Sequence, residues 1–209
     1  MTKAIFFDFW GTLIENGTYS PLKQSFSILR LRMPYGEYVE RFEKTLMTKK
    51  FPDQASGFEA VCNEFNVPLK DIVIDKLIGV WNKNKLLAKP FPEVIDALKR
   101  LKEDYKLVIV SNEPAGAVEE ILDKFEMKDL FDKVIISSEQ GTIKTHKLFD
   151  VALEKTGMSK DEVIMVGDSI QSDIEGAKKA GIRAVLVDRK GRREYEDKIR
   201  TLTELEEKI

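Results

Sequence analysis

The segment Ala4-Ile5-Phe6-Phe7-Asp8-Phe9-Trp10-Gly11-Thr12 contains a short apolar run that ends in an acid, followed by a turn signal. Four later apolar runs likewise end in polar residues: Lys106 to Ser111, Lys133 to Ser138, Glu162 to Asp168 and Arg183 to Asp188. Runs that are apolar on both faces read as buried parallel strands. Between and around them, Pro92 to Tyr105, Ala115 to Met127, Lys147 to Thr156 and Gln171 to Ala180 carry apolar residues at helical spacing, as at Val94, Ala97, Leu98 and Leu101. Strand and helix alternating from 91 to 189 predict right-handed crossovers and a doubly wound, Rossmann-like parallel sheet of about five strands.

The first run stands apart from the other four. From 15 to 90 the pattern is helical, broken by Pro34, Pro52, Pro68 and Pro90, with apolar pairs such as Phe42 and Leu46 or Val61 and Phe65. This interval reads as an all-helical domain inserted after strand 1, with residues 1–14 and 91–209 forming the α/β core. Ligands of open α/β sheets bind beyond the carboxyl ends of the strands, where the insertion leaves. A position over that crevice suits a lid. The tail from Arg193 to Ile209 reads as a charged surface helix.

Composition narrows the classes of function. Lys and Arg number 34 against 36 Asp and Glu, with no basic block, so a nucleic-acid partner is not expected. Apolar stretches stop at four or five residues, far short of the roughly 20 that cross a bilayer. No charged leader precedes the first run, and a cytoplasmic protein, monomer or homodimer, is the expectation. Cys62 is the sole cysteine and reads as core filler; Asn16-Gly17-Thr18 resembles a glycosylation sequon only by chance.

If the strands share one sheet, polar residues converge at their C-terminal ends. Strand 1 brings Asp8, strand 2 Ser111 and Asn112, strand 4 Asp168, and the turn beyond it Asp173. Carboxylates that close either take up protons or recruit a cation, and an all-oxygen set favours Mg²⁺. Lys144, in Gly141-Thr142-Ile143-Lys144, can enter the same crevice to hold Asp8 ionised and to neutralise a phosphoryl group. A carboxylate nucleophile, a phosphate cradle and a divalent ion together describe phosphoryl transfer through an aspartyl intermediate.

These motifs, Asp8-x-Trp10-Gly11-Thr12, Ser111-Asn112, Lys144 and Gly167-Asp168-x4-Asp173, stand in the order of the haloacid dehalogenase (HAD) superfamily, which the chain resembles over nearly its whole length. The interval 15–90 is similar to that family's helical cap. The resemblance implies Asp8 as nucleophile and Mg²⁺ on Asp8, the Trp10 carbonyl, Asp168 and Asp173. It also implies that Ser111, Asn112 and Lys144 bind the transferred group of a small phosphorylated substrate, beside Trp10.

Three departures qualify it. Trp10 stands where family phosphatases carry an aspartate as general acid and base, and an indole N–H only donates. Thr145 replaces a common proline, leaving Lys147 as a rival to Lys144. Glu113 puts a carboxylate near the anion site unless it turns to solvent. A Mg²⁺ phosphatase with weakened proton transfer is the first reading. Family dehalogenases carry a tyrosine at position 10 and need no metal, so a 2-haloacid dehalogenase is a second, with Arg30, Arg32 and Arg41 as cap arginines for the substrate carboxylate. A catalytically impaired phosphate binder is the third.

Overall fold

In the computed structural model, which describes residues 1–209, the first segment is strand β1 (Ala4–Phe7), and Asp8 is the first residue beyond it. β1 lies between β4 (Lys106–Ser111) and β6 (Val163–Gly167), parallel to both, with Phe7 level with Ile109 and Val166. β5 (Lys133–Ile136), β7 (Arg183–Val187) and β8 (Lys198–Ile199) complete the order β5-β4-β1-β6-β7-β8. Every pairing in this sheet is parallel.

The sheet has six strands, one more than the sequence pattern predicts. The extra strand comes from the tail, which is no surface helix. Lys198–Ile199 pairs with β7, and the following 3₁₀ turn, Leu202–Lys208, buries Leu202 and Leu205 against the core. Dense charge hid an apolar period of three, the 3₁₀ spacing.

Alternate residues of β1 serve opposite faces. Ile5 and Phe7 join one buried cluster with Leu98 and Ile121, whereas Ala4 and Phe6 join another with Leu148 and Phe149. Helices α5 (Val94–Asp104) and α6 (Ala117–Lys124) supply the first face; α8 (Leu148–Thr156) and α9 (Gly176–Lys179) supply the second. A short α7 (Ser137–Gln140) follows β5 directly. Each fully buried Leu, Ile or Phe contributes roughly 1.5–3 kcal/mol, so a strand packed on both faces is held firmly in register.

The chain leaves the sheet through β2 (Ile14–Glu15) and returns through β3 (Lys89–Pro90), which pair antiparallel. Between them lie α1 (Pro21–Ile28), α2 (Tyr35–Leu46), α3 (Gln54–Glu64) and α4 (Asp71–Leu87). Pro21 starts α1 behind the Ser20 cap, and Asp53 caps α3 by accepting the Ser56 N–H at 2.8 Å. On α2, Tyr38, Phe42 and Leu46 point to a separate apolar cluster with Phe58, Val61, Cys62 and Leu77. Phe42 stacks on Trp81 at 5.7 Å, and the Trp81 indole donates to Ser25.

Both linkers of this helical module are fastened by Arg189, at the end of β7. Its guanidinium donates to the carbonyls of Gly11 and Thr12, pairs with Glu93 at 2.7 Å and lies over the Phe91 ring. Gly11 and Thr12 belong to the outgoing strand connection, Phe91 and Glu93 to the returning one.

Candidate active site

The strand register delivers the first acidic group. Asp8 N–H donates to the Val166 carbonyl at 2.9 Å, which holds its backbone between β1 and β6 while the side chain enters the cleft beyond the sheet. Asp168 directly follows β6, and Asp173 lies in the π-helical turn Ile170–Glu175 that Ser169 caps. One carboxylate oxygen from each of Asp8, Asp168 and Asp173 falls within 4.8 Å of the others.

Two glycines make this convergence possible. Gly11 has φ +78, a left-handed conformation, and a Cβ there would meet the Asp168 Oδ2 at 2.6 Å. At Gly167 a Cβ would collide with the Asp173 carboxylate. The backbone thus passes close behind both acids and fixes where they point.

Lys144 reaches into the cluster. Its Nζ lies 2.5 Å from both Asp8 Oδ1 and Asp173 Oδ1, and the side chain is 3% exposed. Burial opposes its charge, but Asp173 and Asp8 hold it protonated above the ordinary lysine range. The second Asp173 oxygen accepts the Ser169 N–H at 2.8 Å. Even so, burial and then the charge of Asp8 raise both Asp168 and Asp173, and Asp173 adds to the rise of Asp168. One lysine does not balance three acids. The surplus of negative charge, the all-oxygen donors and the glycine-backed geometry fit a hard divalent cation, which the three carboxylates could hold.

The remaining residues singled out in the sequence divide between cleft and surface. Ser111 ends β4 and lines the cleft, as do Asn112 and Trp10. Asn112 is structural as well, because its Oδ1 accepts the Lys144 backbone N–H at 2.9 Å. Trp10 packs edge-on against Phe9, half-buried, and lines the cleft without filling it. Lys147 is exposed at the start of α8, and the exposed His146 pairs with Glu40. On the helical module, Lys44 is also exposed, Lys49 lies over Phe51 and Lys50 pairs with Glu139.

Glu113 does not turn to solvent. It is 5% exposed, with its N–H donating to Ser137 Oγ. Burial, then Asp8 and Glu43, push its carboxyl well above the ordinary range, against the charge of Lys144 and the nearby Trp10 indole. The proline that follows and the turn beyond gave no hint of an inward side chain.

Two further groups escaped the sequence reading. Arg193, in the tail, donates to the Asp168 carbonyl and lies 3.8 Å from its Oδ2. Glu43 comes from α2 across the cleft, and its Oε2 accepts from Asn112 Nδ2 at 2.7 Å. Burial leads the effects that bring Glu43 up to about 7, against Lys144 and the Asn112 hydrogen bond, with Asp173 and Asp8 adding to the rise. Around these residues the cleft encloses about 760 Å³, walled by the strand ends on one side and by α1, α2 and α4 on the other.

A parallel sheet with an aspartate just past its central strand, acids and a lysine at the neighbouring strand ends, and a helical insertion above defines a class of α/β hydrolases. The chain belongs to the haloacid dehalogenase-like hydrolase family, whose model matches residues 5–187, and is therefore an enzyme of hydrolytic type. It is 30% identical to a glyceraldehyde 3-phosphate phosphatase of Pyrococcus abyssi over 88% of this chain and 81% of that one. It is also similar to the crystal structure of a HAD phosphatase from Thermococcus onnurineus, at 30% identity and a TM-score of 0.65, covering 99% and 97% of the two chains. The fold alone is shared with L-2-haloacid dehalogenase from Xanthobacter autotrophicus, at 19% identity and a TM-score of 0.65 over 98% and 97%.

Proposed function

We propose that the protein is a Mg²⁺-dependent phosphatase of small phosphorylated molecules that works through an aspartyl-phosphate intermediate. The observation that carries this reading is the Asp8, Asp168 and Asp173 cluster bridged by Lys144. Two relatives named as phosphatases support the substrate class, and a sugar-sized phosphate suits a cleft of this volume.

In this reading Asp8, the Trp10 carbonyl, Asp168 and Asp173 hold the ion, which when bound supplies Lewis-acid stabilisation of phosphoryl charge. Asp8 attacks phosphorus with a free carboxylate oxygen. Lys144, kept protonated by its two acids, neutralises the transferred group, with Ser111 as hydroxyl donor. The helices over 15–90 act as a cap that excludes water and selects the substrate. Trp10 cannot donate and retrieve a proton, so this half of the chemistry is weak at its usual place. General acid and base catalysis contributes typically about 10²- to 10⁴-fold.

The dehalogenase reading lacks support in the cleft. Arg30 and Arg32 are exposed, Arg41 is committed to Glu64 and Glu37, and none of the three lines the cavity. The test is a panel of alkyl phosphates, including triose phosphates, with aryl and acyl phosphates and 2-haloacids, each run with Mg²⁺ and with chelator. Phosphate release that vanishes with chelator is the expected result. Halide release that chelator leaves untouched overturns the reading.

A further inference from the structure

We propose that Glu43 is the proton donor and acceptor of this cleft, standing in from the cap for the carboxyl group that position 10 lacks. The inference rests on the phosphatase reading and deepens it.

Glu43 sits on α2 one residue beyond Phe42, beside the stripe that packs the module's own core, and its carboxyl is turned towards the sheet instead. What it meets there is not a surface residue. Asn112 follows Ser111 at the end of β4, and its amide orientation is determined: Oδ1 accepts from the Lys144 N–H, so Nδ2 must be the group facing Glu43. A donor therefore occupies Glu43 Oε2, which leaves Oε1 as the oxygen able to carry a proton and to present it to a ligand in the cleft. The same Lys144 whose backbone fixes Asn112 also grips Asp8, so nucleophile and cap carboxyl are positioned by one residue. In-line displacement places the leaving oxygen on the side of phosphorus away from Asp8. Glu43 lines the same cleft from the helical module, whereas Asp8 lines it from the strand ends.

The proton balance is complete. As the Asp8 carboxylate forms its bond to phosphorus, the bond from phosphorus to the leaving oxygen breaks, and Glu43 transfers its proton to that oxygen, releasing an alcohol. The resulting Glu43 carboxylate then takes a proton from the water that attacks phosphorus. The bond from phosphorus to Asp8 breaks, giving inorganic phosphate, free Asp8 and protonated Glu43.

Glu113 is a further carboxyl lining the cleft, but it follows Asn112 beyond the end of β4, on the wall of strand ends that also carries Asp8. The test compares the parent, Glu43→Gln and Glu113→Gln on a series of alkyl to nitrophenyl phosphates with saturating Mg²⁺. It measures kcat/KM, which senses only the steps up to departure of the alcohol. Glutamine at 43 still accepts from Asn112, so the contact between cap and core survives.

For Glu43→Gln the expected loss is about 10²-fold or more on alkyl phosphates and under about tenfold on nitrophenyl phosphate, which needs no proton. Adding Trp10→Asp to Glu43→Gln should recover at least about tenfold of the alkyl activity. An equal loss on every substrate makes Glu43 only a closing contact and overturns the assignment, as does the same leaving-group signature in Glu113→Gln alone. If the parent releases no phosphate from any substrate, the phosphatase reading fails and the assignment with it. If the parent is active and Glu43→Gln matches it throughout, the assignment fails alone.

Discussion

The two walls of the cleft are made by different means. On the sheet side the acids are held at close quarters: the Asp8 backbone is fixed by Val166 and its carboxylate by Lys144, Asp173 accepts the Ser169 N–H, and glycine backbone passes directly behind Asp168 and Asp173. On the helical side a separate apolar cluster carries the wall, joined to the core by two short linkers and by contacts such as Glu43 with Asn112 and Lys85 with Glu120. Chemistry common to many substrates is built where geometry is most rigid. On the proposed reading, selection among substrates would fall to the wall that can be repacked without disturbing it.

The largest expected effect falls on the sheet wall. Asp8→Asn should abolish phosphate release, by roughly 10⁴-fold or more, as loss of a nucleophile does. Single-turnover assays that still trap a phosphorylated protein would remove Asp8 from that role. Lys144→Met leaves Asp8 and Asp173 buried without their cation, and breaking such a pairing costs about 3–5 kcal/mol. Urea unfolding in chelator measures it, and a loss below about 1 kcal/mol would mean the pairing contributes no more than a surface pair.

The helical wall should respond less. Glu43 has a raised carboxyl, so between the unfolded value and about 7 the folded chain keeps a proton that the unfolded chain has released. Stability of the parent relative to Glu43→Gln should therefore fall as pH rises from about 5 to 7.5. Melting curves of both proteins across that range provide the measurement, and a constant difference would show that Glu43 ionises normally.

What was legible in the sequence follows the same division. The strand runs, the order of Asp8, Ser111, Lys144 and Asp168, and the helical nature of 15–90 could all be read, because strand ends and apolar periods are local properties. Glu43 could not, since its neighbours Phe42 and Leu46 announce a helix face without saying which of the flanking polar residues looks inward. Arg189 and Arg193 were hidden for another reason: both act through carbonyls of distant segments, Gly11, Thr12 and Asp168, which carry no side-chain signature. The sixth strand and the buried Leu202 and Leu205 lay within a tail whose charges outweighed their short period.

The pairing of β1 also bears on how the protein is made. Ala4 meets Lys106 on one side and Val163 on the other, so the strand that leads into Asp8 is synthesised before either neighbour and lacks the second until β6 has been made. The intervening helices have mostly local contacts and can settle at once, at the synthesis rate of about 5–20 residues per second. During that interval Ile5, Phe6 and Phe7 are exposed in the nascent chain, and chaperone occupancy should centre on them.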